Sequence, residues 1–240
     1  MEKQGIYAYG VVNGSQMRGD GYFVVNYKSL TLIGKIINIP DFQKDLQEAL
    51  KNTKTMKTVL TKHQDFLDRL MRKTTVVPFQ FGTILKDKEG AADYLKSSYA
   101  KYKELLKKFK DRQEWGVRVF ADLKKPRASQ ASQKSNSGTA YLLQKAQEEE
   151  EEKATNEKLA SFSGEILTSL KELAFEHKVT ESTQRFSEKG ELLISVFAFL
   201  LDKAKVRKFT QKLISLQKKY QEFGLRLTSS GPWPAYNFIS

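Results

Sequence analysis

Fifteen residues near the middle of the chain, KKPRASQASQKSNSG (Lys124 to Gly138), carry no large apolar side chain. Such a stretch has nothing to bury, so it cannot sit inside a core and reads as a linker. It sets two halves apart, residues 1–123 and 139–240, each the length of a small domain. Both halves mix strand-like and helix-like segments, and that mixture is what fixes the fold class.

In the first half, IYAYGVV at 6–12 is rich in β-branched and aromatic residues and predicts a strand. NGSQMRG at 13–19 reads as a loop. Residues 21–27 and 30–39 read as two strands joined by a tight turn at Tyr27-Lys28-Ser29, a hairpin. Pro40-Asp41 starts a helix with Asp41 as its N-cap, and Phe42, Leu46, Ala49 and Leu50 form its apolar face. A second helix over 56–73 buries Val59, His63, Phe66, Leu67, Leu70 and Met71. VVPFQFGTIL at 76–85 returns to strand, and Pro78 marks an edge or a strand start. A third helix over 88–110 carries the stripe Tyr99, Tyr102, Leu105, Leu106 and Phe109, with lysines elsewhere on its surface. WGVRVFA at 115–121 is a short alternating strand.

The second half opens with a helical stretch over 139–177. The run Glu148 to Glu152 marks a solvated segment, and the helix breaks there or at Gly164. Residues 179–186 predict a strand, Glu188-Lys189-Gly190 a turn, and 192–201 a strand apolar enough for a sheet centre. A basic amphipathic helix follows, capped by Asp202 and ended by Gly224. Residues 225–229 form a last strand, which runs into SGPWPAYNF at 230–238. The fold class is α+β, with two domains, each a small sheet with helices on one face. Ferredoxin-like topology is the simplest arrangement of that kind.

The chain carries 41 Lys and Arg against 28 Asp and Glu, a net charge of +13. That balance suits an acidic partner or a lysine-rich solvated surface. The absence of cysteine removes disulfides, thiolate nucleophiles and cysteine metal sites. His63 and His177 have no metal-ligand spacing, and His63 reads as a core histidine bonded to backbone. Neither GxSxG nor a phosphate loop is present. Asp41, Asp45, Asp65 and Asp68 read as solvated helical carboxylates rather than metal ligands. The apolar run at 192–201 is too short to span a bilayer, and the N-terminus has no signal-peptide core. A soluble, cytoplasmic protein without cofactor is expected. A nucleic-acid binder using the lysine-rich helices stays open as the alternative, but its aromatics fall on the buried stripes rather than beside the basic groups.

GIYAYGVV at 5–12, His63 followed by VVPFQFGTIL, EWGVRVF at 114–120, GTAYLLQK at 138–145 and SGPWPAYNF at 230–238 occur in an order that resembles the gas vesicle protein F and L family. The resemblance spans nearly the whole chain. It implies two α+β domains, the first ferredoxin-like and the second a modified version with a long first helix and a terminal tail. It implies no enzymatic activity and a role in gas vesicle assembly. The expected partners are the main shell protein and other accessory proteins, with no nucleic acid. The motif residues it singles out are His63, Pro78, Phe81, Gly82, Trp115, Gly116, Gly231, Pro232, Trp233, Pro234, Tyr236 and Phe238.

The terminal motif has two readings, a ligand for a proline-reading partner and a clasp. In the clasp, Pro232 and Pro234 end strand pairing, and Trp233, Tyr236 and Phe238 fold back over the core or into the gap between domains.

Overall fold

The computed structural model describes residues 3–14, 22–122, 138–180, 185–187 and 190–239. The loop expected at 13–19, the linker at 124–138 and the turn at Glu188-Lys189 lie largely outside them. The chain divides into two compact units, Met1–Glu114 with Pro232–Ser240, and Trp115–Gly231.

The first unit holds β1 (Gln4–Asn13), β2 (Phe23–Tyr27), β3 (Leu30–Asn38), α1 (Ile39–Leu50) and α2 (Thr53–Lys73). It continues with β4 (Val76–Pro78), β5 (Ile84–Leu85), α3 (Lys88–Ser97) and α4 (Tyr99–Phe109). Its strand order is β2-β3-β1-β4, with β5 also pairing β1. That is the order of a ferredoxin-like sheet. Strands β2 and β3 form the expected hairpin, with Tyr27 opposite Leu30. Pro78 ends β4, which lies at the border of the strand order, where a missing N–H costs no ladder bond.

Several expected boundaries move for local reasons. The N-cap of α1 is Asn38, whose side chain accepts from the Asp41 N–H at 3.2 Å. Asp41 instead sits in the first turn, where the helix dipole favours a carboxylate. Leu50 ends that helix 66% exposed rather than on its buried face. Residues 88–110 are two helices, divided at Ser98, whose φ and ψ of −98° and 9° leave the helical basin. Helices also cover both faces of this sheet, not one. Leu67 and Leu70 of α2 pack with Val12, Ile33 and Val76. Val11, Leu32 and Val77, with the opposite pleat, are fully buried as well, and Phe79 beyond them meets Tyr94 and Tyr102 of α3 and α4.

The second unit is built on β6 (Arg112–Ala121), α5 (Gly138–Lys171), β7 (Glu176–Thr180), β8 (Arg185–Phe186), β9 (Leu192–Asp202), α6 (Val206–Gln221) and β10 (Leu225–Trp233). The order β10-β6-β9-β7 makes it a second ferredoxin-like arrangement, strand-helix-strand-strand-helix-strand. Strand β6, read from sequence as the end of the first half, is therefore the first strand of the second sheet. Lys124 to Gly138 falls between this strand and its crossover helix.

Helix α5 runs unbroken through the acidic run and through Gly164. Its described side chains from Lys145 to Ala154 are exposed, Ala146 among them, whereas Leu159, Ile166 and Leu170 join Phe197, Phe199, Leu201, Phe209, Leu213 and Leu216 in the core. The helix stops at Lys171, so His177 lies in β7 and is exposed. Asp202 makes no cap bond and pairs with Lys205 at 3.4 Å. Among the described residues, no helix is long and apolar enough to cross a membrane.

Candidate functional site

The most densely built polar constellation of the first unit surrounds His63. Helix α2 presents it on its buried face, in phase with Leu67 and Leu70. It is 6% exposed. Strand β1 supplies the opposing wall through Tyr7 and Tyr9. These two would share a face in any regular strand, but the register with β3 slips between Ala8 and Gly10. The slip is a bulge that leaves Tyr9 unpaired in that ladder and free to turn its ring onto His63 and Phe66. Gly10 is required there by space: a Cβ would stand 2.8 Å from Val76 Cγ1 and 2.9 Å from the Val77 carbonyl oxygen.

A turn over Gln80 to Thr83 closes the third side, with the Thr83 N–H donating to the Gln80 carbonyl at 3.2 Å. Gly82 holds φ at +83°, as the third residue of a type II turn demands. No atom lies within 4 Å of its virtual Cβ, so conformation alone selects glycine there. The turn aims the Gly82 N–H at the Tyr7 hydroxyl (3.4 Å) and sets Phe81 edge-on to Tyr7 and His63.

The tail completes the site. The Tyr7 hydroxyl lies 2.7 Å from His63 Nδ1, and the Tyr236 hydroxyl 3.3 Å from Nε2. The side-chain partners of His63 are thus two tyrosines, beyond the backbone bond expected from sequence. Asn237 grips Glu114 twice: its N–H donates to one carboxylate oxygen at 3.0 Å and its amide nitrogen to the other at 2.5 Å. Glu114 is 4% exposed, the one buried carboxylate among the described residues. Phe238 is fully buried, and Lys108 Nζ donates to its carbonyl at 3.2 Å.

Burial sets the ionisation of the cluster. It lowers the His63 pKa, opposed by a hydrogen bond with the Phe79 backbone. Burial pushes Tyr7 up to about 12, against the Gly82 N–H, which stabilises the phenolate. Tyr236 is raised first by burial and then by Tyr7, Asp68 and Glu114. At neutral pH the cluster is a neutral imidazole between two neutral phenols. Among the described residues both ring nitrogens of His63 face tyrosine hydroxyls.

The singled-out residues divide accordingly. His63, Phe81, Gly82 and Tyr236 come together around Tyr7 in the first unit, while Pro78 pairs with Gly10 and Phe238 meets Lys108 elsewhere in it. Trp115 packs against the core of the second unit, where its indole N–H is buried without a partner among the described residues. Gly116 passes Ser230 so closely that a Cβ would lie 3.1 Å from its hydroxyl. The tail departs from the expected clasp in two ways. Strand β10 continues through Pro232 to Trp233, and Trp233 is 37% exposed. Gly231 is exposed with φ at +143°, a glycine conformation, and Pro234 is buried. Tyr7, Tyr9, Glu114 and Asn237 escaped sequence reading. Glu114 alone left a signal, a carboxylate directly before the alternating WGVRVFA stretch.

The family described as Gas vesicle synthesis protein GvpL/GvpF matches residues 5–240. A gas vesicle protein L of Streptomyces sp. (strain CB03234) is 24% identical over 185 residues, 73% of this chain and 66% of that protein, just under two thirds of its length. The crystal structure of gas vesicle protein GvpF from Anabaena sp. PCC7120 superposes with a TM-score of 0.73 at 20% identity, covering 99% of this chain and 96% of that one. That of GvpF from Microcystis aeruginosa gives 0.67 at 16% identity, covering 98% and 99%. These likenesses establish the fold, two α+β sheets with helices. The match over all but the first four residues makes the chain a member of the GvpL/GvpF family of gas vesicle proteins.

Proposed function

We propose that this protein is a non-enzymatic accessory factor of gas vesicle assembly. It binds the main shell protein and other accessory proteins in the cytoplasm, at the growing vesicle, and supports nucleation or growth of the shell. Family membership favours this reading, and so does a constellation around His63 whose polar groups satisfy one another. A shell subunit with a very apolar face is hazardous until assembled and needs a surface to hold it.

The observation that carries the proposal lies on the outer strand of the second sheet. Val179 of β7 is 58% exposed and Phe186 of β8 is 67% exposed, and both flank β9 at the border of the strand order. A border strand offers its backbone groups for strand addition, which give affinity, and exposed apolar side chains such as Val179 and Phe186 give selectivity. The nucleic-acid alternative is disfavoured because Tyr102 and Phe109 on α4, and Phe209 and Tyr220 on α6, are buried, so their faces are closed to stacking by bases.

The test is a pull-down of purified shell protein by the full chain and by a Val179→Asp/Phe186→Asp variant. Retention by the parent and loss in the variant, with the thermal midpoint kept, is the expected result. No retention by the parent, together with normal vesicles in cells lacking the protein, overturns the proposal.

A further inference from the structure

Next to the His63 cluster the first unit opens a cleft of about 280 Å³, lined by Tyr22, Phe66, Arg69, Leu70, Arg72 and Lys73. Its walls are of two kinds. Phe66 stacks on Tyr9 at 3.9 Å between centroids, and Tyr22 meets Phe66 edge-on at 5.3 Å. Leu70 is buried beneath them. Around this apolar floor stand three exposed cations. Phe66, Arg69, Leu70 and Lys73 follow one another at three- and four-residue spacing, so one face of α2 carries both the floor and the rim.

None of Arg69, Arg72 and Lys73 makes an ion pair among the described residues. Asp68, the carboxylate placed to pair with Arg72, accepts instead from Gln64 Nε2 at 2.7 Å. Arg72 and Lys73 lie in the last turn of α2, where any cation complements the helix dipole. That accounts for their charge, but not for a third cation one turn earlier, nor for aromatic walls between them. The charge of the rim sets the ligand class: three cations without ion-pair partners among the described residues call for carboxylates, and about 280 Å³ gives room for one large side chain between them.

We propose that the cleft between Tyr22 and the Phe66–Lys73 turn of α2 docks an acidic segment of a partner protein. One aromatic side chain of the segment seats against Phe66 and Tyr22, and its carboxylates pair with Arg69, Arg72 and Lys73. An anchor flanked by desolvated guanidinium–carboxylate pairs is the arrangement that concentrates binding energy in an interface. This site goes beyond the proposed function. It holds whether the acidic segment belongs to the shell protein or to another accessory protein, so a negative shell-protein pull-down leaves it standing.

The experiment uses the full chain and a fluorescently labelled peptide of six Asp and Glu residues around one central tryptophan, read by anisotropy. A second peptide carries alanine in place of the tryptophan. The tryptophan peptide is expected to bind at least tenfold more tightly than the alanine peptide. Arg69→Gln/Arg72→Gln should weaken it tenfold or more at unchanged thermal midpoint, and Arg72→Gln alone severalfold. A Lys208→Gln/Lys212→Gln variant on α6 controls for the diffuse positive field and should bind as the parent does. Equal binding of the two peptides overturns the proposal. An equal loss in the α2 and α6 variants overturns it too, as does displacement of the tryptophan peptide by ATP at lower concentration than by its unlabelled self.

Discussion

At the scale of single residues, His63 is the polar pivot of the first unit, and its burial makes it pH-sensitive. Its folded pKa lies below the ordinary value of about 6.5. Between those two values the unfolded chain binds more protons, so the stabilising contribution is complete above pH ~6.5 and is lost as pH falls through the folded pKa. Urea unfolding of the parent should therefore weaken on the acid side of pH 6.5, and in His63→Gln this part of the slope should vanish; a slope that persists would place the acid sensitivity elsewhere. Tyr7→Phe takes away the hydroxyl at Nδ1, leaves a buried ring nitrogen unpaired, and should cost roughly 1–3 kcal/mol at pH 7 in the same assay. Sequence reading placed His63 correctly on an apolar face, because helical spacing shows which side is buried. It missed the partners, because Tyr7 and Tyr236 stand 56 and 173 residues away, and no local pattern encodes that meeting.

At the scale of elements, the strands and helices were legible, and the exceptions have two causes. Apolar periodicity reports that a helix exists but not where its axis breaks, so the division at Ser98 was read through and the acidic run in α5 was read as a break. That run shows why: Glu149 to Glu152 are all exposed on a continuous helix, so water screens their repulsion. Glu150→Pro should then lower helical circular dichroism while leaving the thermal midpoint within about 2 °C, since among the described residues the part of α5 that joins the core begins at Leu159. A larger fall in the midpoint would assign the part of α5 before Leu159 a packing role. The bulge in β1 was illegible for the opposite reason. Tyr-Gly after alternating apolar residues fits a regular strand as well, and only the close approach of Val76 and Val77 singles out Gly10. Comparing Gly10→Ala with Gly82→Ala separates two demands on glycine. The Gly82 variant should lose roughly 1–2 kcal/mol, from conformation alone. The Gly10 variant should lose more, because backbone and side chain must both move; the reverse ranking in denaturant titrations would contradict the packing around the bulge.

At the scale of the whole molecule, a compositional break located a polar segment but not the division between units. Composition shows where no core residue lies, whereas the division follows strand order, and β6 joins a sheet whose other strands all come later. The tail makes the same point from the other end. Its residues return to the first unit after β10 has served the second sheet, and Tyr236, Asn237 and Phe238 there engage His63, Glu114 and Lys108. Burying Phe238, which is fully buried, contributes roughly 1.5–3 kcal/mol, and Tyr236 is half-buried beside His63. A chain ending at Gly231 also leaves Glu114 without two of its donors. Hydrogen exchange should therefore accelerate in β1 and in the His63–Leu70 segment of α2, while α6, whose Phe209 and Leu213 share a core with Phe199, keeps its protection. A Trp233→Ala variant of the full chain should leave both regions unchanged, because that ring is already partly in solvent. If truncation left β1 and α2 as protected as in the full chain, the terminal motif would be free to serve as a ligand for another protein. If Trp233→Ala reproduced the truncation, the anchor would be the tryptophan rather than the Tyr236–Phe238 turn.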